Sequence, residues 1–175
     1  MLMSELLLRR LHLPAPMGQV LIVSDGQQLL ALEFDAPEKR LLRLLRSRFG
    51  TGVQLRETAG LAALADAVQA YCTGQLQAFD AVPIDAGGTL FQQRVWAALR
   101  AIPVGSTRTY GQIAAQLGNP AAARAVGLAN ALNPVSLAIP CHRLVGSNGA
   151  LTGYGGGIER KRWLLEHERR NSDDG

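Results

Sequence analysis

The side chains best suited to covalent chemistry stand together in Ile139-Pro140-Cys141-His142-Arg143. A thiolate is the nucleophilic form of cysteine, and a neighbouring imidazole or cation lowers the thiol pKa from about 8.5. The apolar run Val135 to Ile139 predicts a buried strand leading into this segment. Neighbours on an extended segment point to opposite sides, so His142 is expected to reach the sulfur through a water or a short turn. A carboxylate would then orient His142, and the candidates in this half of the chain are Glu159, Glu166 and Glu168. A buried structural thiol fits Cys141 equally well. Cys72 shares an apolar helical face with Leu61, Leu64 and Val68, which predicts a packed, inert thiol.

A second feature is a helix from Ala121 to about Leu132 whose one long charged side chain is Arg124. Reading bases in a major groove takes several Arg, Lys, Asn or Gln side chains, which this helix lacks. Ala and Gly instead let its backbone come close to another surface. That surface is either a minor groove, with Arg124 wedged into the base stack, or a neighbouring helix in the core. Both uses fit the residues.

Charge separates the two halves. Residues 1–87 hold eight basic and nine acidic side chains, and residues 88–175 hold ten basic and five acidic ones. No acid occurs between Asp85 and Glu159, where Arg94, Arg100, Arg108, Arg124 and Arg143 all lie. Such a stretch suits the approach of a polyanion. Apolar residues make up 47% and charged residues 18%, which excludes a disordered tail or a fibrous repeat. The apolar runs are too short to span a bilayer, and Glu5 interrupts the one at the start, which argues against a secretory signal. Two cysteines and three histidines supply neither a disulfide framework nor a zinc-finger spacing. A reduced, cytoplasmic protein without metal, cofactor or membrane attachment is expected.

The elements that must position these residues are legible in outline. Residues 19–24 and 29–34 flank Asp25-Gly26-Gln27-Gln28 and predict a hairpin. Pro37 opens a helix whose face carries Leu41, Leu42, Leu44 and Leu45, and Gly50 stops it. A second helix ends at Gly74. Asp80 to Gly88 reads as a linker between an α/β half and a mostly helical half. Thr89-Leu90-Phe91-Gln92 is a capping-box pattern opening a helix that Pro103 ends. A short helix from Tyr110 to Leu117, the breaker Gly118-Asn119-Pro120 and the Ala-rich helix make a helix-turn-helix or an ordinary αα-hairpin. A Gly-rich loop from Gly146 to Gly157 leads to a last helix ending near His167, with Glu168 to Gly175 frayed.

Pro140-Cys141-His142-Arg143, with Asn133-Pro134 before it and Thr152-Gly153-Tyr154-Gly155-Gly156-Gly157 after it, resembles the signature of the methylated-DNA–protein-cysteine methyltransferases. The match runs through Phe91-Gln92-Gln93-Arg94-Val95-Trp96, Ile102-Pro103, Gly105, Thr109-Tyr110-Gly111 and Ala122-Ala123-Arg124-Ala125-Val126-Gly127. It continues to Lys161-Arg162-Trp163-Leu164-Leu165 and Glu168. The resemblance implies a ribonuclease H-like α/β domain over 1–86, a DNA-binding alkyltransferase domain with a helix-turn-helix over 87–168, and a flexible tail over 169–175.

It also implies roles. Cys141 takes an alkyl group from O6 of guanine, with O4-alkylthymine as a further substrate, and His142, held by Glu168, draws off the thiol proton through a water. Asn133 joins the same network, and Tyr110 protonates the departing guanine. Backbone groups of Cys141, Leu144 and Gly155 read the base, and Tyr154 walls the pocket. Arg124 fills the gap left by the flipped nucleotide, while Ala122, Ala123 and Gly127 face the minor groove. The partner implied is double-stranded DNA carrying alkylated guanine, bound by a monomer with cooperativity along the duplex. Gly155 stands where some members have Ser, which implies a roomier pocket. The alkyltransferase-like sensors share the scaffold but lack the cysteine, so Cys141 argues against that class.

Overall fold

The computed structural model describes residues 4–34 and 38–172, which divide into two compact units meeting at Gly87 and Gly88. The helix start expected at Pro37 lies outside the described residues. Within them no helix is long and apolar enough to cross a membrane.

The first unit is built on four strands, β1 (Glu5–Leu13), β2 (Gly18–Ser24), β3 (Leu29–Phe34) and β4 (Gln54–Glu57), in the order β3-β2-β1-β4. β2 pairs antiparallel with both β1 and β3, while β4 runs parallel to β1. Helix α1 (Glu38–Phe49) lies between β3 and β4 in sequence, and its Leu41 and Leu45 join Leu6, Leu8, Leu21, Val23, Leu30 and Val53 in one apolar cluster. Alternation along the strands sends these side chains to the same face, and their burial drives the association. Helix α2 (Ala62–Cys72) follows, with Tyr71 1% exposed. Burial pushes the Cys72 thiol up to about 11, in keeping with an inert sulfur.

The hairpin is where the sequence predicts it, with Asp25 Oδ1 accepting from the N–H groups of Gln27 and Gln28 at 2.8 Å. Strands β1 and β4 were not anticipated. Much of the expected linker is docked on its own unit: Leu29 N–H donates to Pro83 O at 2.8 Å, Asp85 N–H donates to Leu29 O at 3.0 Å, and Arg48 pairs with Asp85 at 2.5 Å.

The second unit holds α3 (Leu90–Arg100), β5 (Arg108–Thr109), α4 (Tyr110–Gln116), α5 (Ala123–Ala131), β6 (Leu144–Val145) and α6 (Ile158–Ser172). Two helices begin with the same device. Thr89 caps α3 and Thr109 caps α4, each hydroxyl accepting from a backbone N–H three residues on while a Gln side chain there reaches back. Both α3 and α4 pack on α5, and buried Trp96 of α3 donates its indole N–H to Ala129 O at 3.0 Å. A 3-10 turn, Pro120–Ala122, precedes α5, so the regular helix starts later than Ala121.

Two expectations are corrected here. Val135 to Ile139 is buried but is not a strand: residues 136–139 turn back on themselves, with Leu137 at φ 68°. The reason lies in Asn133, whose Oδ1 accepts from Val135 N–H and whose Nδ2 donates to Ile139 O, both at 2.9 Å. With Ile139 N–H on Val135 O at 3.0 Å, the loop meets its backbone needs internally. The last helix also does not end near His167. It continues to Ser172, Glu168 is fully buried in it, and residues 169–172 of the expected tail are helical. Asp173 to Gly175 lie outside the described residues.

Candidate active site

Cys141 opens a 3-10 turn, Cys141–Arg143, and not the extended segment expected. Its N–H donates to Ile139 O at 2.8 Å, and Arg143 N–H donates to Pro140 O at 3.0 Å, which fixes the turn on both sides of the sulfur. Cys141 is 6% exposed, while His142 and Glu168 are 0% exposed. After the turn, β6 pairs in parallel with β5, Thr109 opposite Val145. Because β5 runs directly into α4, this pairing sets Tyr110 beside the start of the Gly-rich loop that follows β6.

His142 Nε2 lies 2.7 Å from Glu168 Oε1. A carboxylate only accepts, so Nε2 carries the hydrogen and Nδ1 is left as the basic atom of the neutral ring. Nδ1 is buried, and no group among the described residues hydrogen-bonds to it. Burial lowers the pKa of His142, against the pull of Glu168 in the other direction, so the ring stays neutral near pH 7. Of the three candidate carboxylates, Glu159 and Glu166 are exposed and Glu168 is the one at the imidazole.

Burial alone would raise the Glu168 carboxyl, but the hydrogen bonds from His142 and Arg143 and the charge of Arg143 hold it well below the usual carboxylate range. Arg143 donates from Nε to Oε2 at 2.9 Å and from Nη2 to Oε1 at 2.8 Å, and its Nη1 donates to Ile102 O at 2.7 Å. Gly105, at φ 81° where a side chain would be strained, turns its N–H toward Oε2 at 3.5 Å.

Asn133 is 2% exposed, and its side chain braces the loop ahead of Cys141 instead of bonding to His142 or Glu168. Tyr110 is half-buried with its hydroxyl 2.7 Å from Thr152 Oγ1. Leu144 is fully buried, Tyr154 half-buried and Gly155 exposed; a Cβ placed on Gly155 meets nothing within 4 Å. On α5 and the turn before it, Arg124 is exposed while Ala122, Ala123 and Gly127 are half-buried. Gly127 packs near Tyr110, since a Cβ there would lie 3.6 Å from the Tyr110 ring. Leu128, 62% exposed, stands one turn from Arg124.

Three polar residues of this site escape sequence reasoning. Arg143 reads as one more surface cation, and Thr152 as part of a loop. Lys161 is 0% exposed and donates from Nζ to Thr152 O at 3.2 Å. Burial lowers its pKa, and the negative charge of a Cys141 thiolate opposes that, so the two groups sense each other electrostatically. The signal for Lys161 was its place in the buried stripe Lys161, Leu164 and Glu168, a spacing of one helix face.

Residues 90–170 match the family model described as the DNA binding domain of 6-O-methylguanine DNA methyltransferase. A Salmonella typhimurium protein named methylated-DNA–protein-cysteine methyltransferase is 46% identical over 155 residues, spanning 87% of this chain and 91% of that protein. A Mycobacterium tuberculosis protein of the same name is 61% identical over 104 residues, 59% of this chain and 62% of that protein. Among solved structures, Mycobacterium tuberculosis OGT in complex with DNA superposes with a TM-score of 0.79 at 43% identity, covering 94% of each chain. The O6-methylguanine-DNA methyltransferase of Pyrococcus kodakaraensis gives 0.71 at 27% identity over 93% of this chain and 98% of that one. The mixed α and β architecture is common to all of these structures.

Proposed function

Because the chain belongs to the methylated-DNA–protein-cysteine methyltransferase family, we propose that its Cys141 accepts the alkyl group of O6-alkylguanine, and of O4-alkylthymine, in duplex DNA. The observation that carries this reading is the fully buried His142–Glu168 pair, 2.7 Å apart, joined to the cysteine turn.

Glu168 keeps the Nε2 hydrogen in place, so Nδ1 receives the thiol proton by way of a water. The thiolate attacks the alkyl carbon, the S–C bond forms as the C–O6 bond breaks, and the electron pair passes into the guanine ring. Tyr110 then delivers its hydroxyl proton to a ring nitrogen, leaving neutral guanine. A thioether has no good leaving group, so each chain acts once. Backbone groups of Cys141, Leu144 and Gly155 meet the polar edge of the base, Tyr154 walls the pocket, and Asn133 fixes the turn that aims the sulfur.

The reacting atom lies inside the stack, so the nucleotide must flip out at a cost of roughly a few kcal/mol. Exposed Arg124 fills the gap. Ala122, Ala123 and Gly127 bring α5 close to the minor groove, with α4, the turn and α5 acting as the helix-turn-helix. The absence of carboxylates between Asp85 and Glu159 removes repulsion from phosphates. The first unit, a sheet backed by α1, serves as the ribonuclease H-like domain over 1–86. The chain works in the cytoplasm as a monomer, bound cooperatively along DNA.

The test is incubation with duplex DNA carrying methyl-labelled O6-methylguanine. The expected result is one label per chain, recovered on the peptide containing Cys141 and abolished by Cys141→Ser. Tight binding without transfer, or release of label with repeated turnover, overturns the reading.

A further inference from the structure

We propose that Thr152 is a positioning residue for the proton that Tyr110 delivers, a role that rests on the reading of Tyr110 given above. The two hydroxyls are 2.7 Å apart and bridge the first residue of α4 to the Gly-rich loop, 42 residues further along the chain. A tyrosine hydroxyl has one hydrogen. If its standing partner were a carbonyl, which only accepts, that hydrogen would be held away from the base. A threonine hydroxyl both donates and accepts. It accepts from Tyr110 while the site is empty and donates to Tyr110 once a base is present, turning the tyrosine hydrogen toward the ring nitrogen.

The same bond serves the chemistry. As the proton leaves, negative charge gathers on the Tyr110 oxygen, and a hydroxyl already pointing at that oxygen stabilises it. The proton passes from Tyr110 to guanine, and Thr152 keeps its own.

Contacts on either side set the direction of the Thr152 hydroxyl. Its Cγ2 packs against Gly146, where a Cβ would come within 3.3 Å, so the methyl is turned across the loop and Oγ1 toward Tyr110. Its carbonyl accepts from the buried Lys161 Nζ at 3.2 Å. The loop is closed beneath by Gly146 N–H on Ala150 O at 2.9 Å. Lys161, Thr152 and Tyr110 thus form one chain of contacts running from the surroundings of the sulfur to the group that protonates the leaving base.

Thr152→Val keeps the shape and removes the hydroxyl, and Thr152→Ser keeps the hydroxyl. Single-turnover methyl transfer from duplex O6-methylguanine is to be measured for each, with the DNA Kd and the rate of Cys141 alkylation by iodoacetamide, which needs no protonated leaving base. Thr152→Val is expected to slow transfer about tenfold, a fraction of a full general-acid effect, with Kd and iodoacetamide rate unchanged. Thr152→Ser restores transfer, and in a Tyr110→Phe background Thr152→Val has no further effect. Overturning results are transfer by Thr152→Val at the wild-type rate, a Ser variant as slow as Val, or equal slowing in the Tyr110→Phe background. Loss of Kd and iodoacetamide reactivity together with transfer would show a structural role instead. A wild-type chain that transfers no methyl removes the reading of the site, and this role with it.

Discussion

The guanidinium of Arg143 meets the carboxylate of Glu168 through two nitrogens, at 2.9 and 2.8 Å, on the same carboxylate that holds His142. Arg143 is 6% exposed and Glu168 fully buried, so the two opposite charges are buried against each other. The ionised state of Glu168, which fixes the tautomer of His142, is thus held by the hydrogen bond of His142 itself and by the residue directly after it in the chain.

Glu168→Gln removes that charge and leaves Arg143 buried without its counter-ion. Breaking one partner of a buried pair costs about 3–5 kcal/mol, and the thermal midpoint should fall accordingly. Methyl transfer should fall by roughly 100-fold or more, the scale of a lost general base. A variant as stable and as fast as the wild type would show that the carboxylate is dispensable.

The acid limb of the transfer rate should lie below pH 6.5. Burial holds the His142 pKa below its ordinary 6.5, so the neutral, proton-accepting ring persists at pH values where a solvent-exposed histidine is charged. A pH–rate profile on duplex substrate, with binding saturated, measures this. A fall already half complete above pH 6.5 would contradict it.

Arg124→Ala should weaken DNA binding and reduce the slope of log Kd against log salt by about 1, if its guanidinium neutralises a phosphate while wedged in the stack. Transfer from free O6-benzylguanine base, which needs no flipping, should be unaffected. Equal loss on duplex and free base would place Arg124 in the pocket and not at the groove.

Stability should carry a signature of Glu33, far in sequence from the cysteine. Burial pushes its carboxyl up from 4.5 to about 7, against the opposing charge of Arg40. Between those two values the folded chain holds a proton that the unfolded chain has released, so this group's stabilisation is complete below pH 4.5 and is lost as pH rises toward 7. Glu33→Gln should flatten that part of the thermal-midpoint profile relative to wild type. A parallel profile would show that Glu33 ionises normally.

The parts readable from sequence are those decided locally. The capping box read at Thr89 and Gln92 forms, and the structure adds a second one of the same spacing at Thr109 and Gln112. The hairpin turn depends on Asp25 and its next neighbours, and it is found as read. What failed depends on partners distant in the chain. Val135 to Ile139 has a strand's composition, but pairing is decided by neighbours, and Asn133 supplies an internal alternative. Strand β1 breaks its alternation with the run Leu6-Leu7-Leu8 and the pair Arg9-Arg10, and β4 has too few residues to show a pattern. Glu168 was one of three candidates by chemistry alone, selected only by family resemblance, because which glutamate turns inward depends on how α6 packs.

The carboxylate and the sulfur it serves lie on opposite sides of the Gly-rich loop in sequence, 27 positions apart at 141 and 168. A single proteolytic cut within residues 146–157 would leave both residues chemically intact but free to drift apart. On the reading proposed above, such a nicked protein would keep its DNA-facing surface while losing the capacity for transfer, and would shield the lesion from other enzymes. Resistance of this loop to cleavage is thus a requirement of the protein's service, separate from its folding stability.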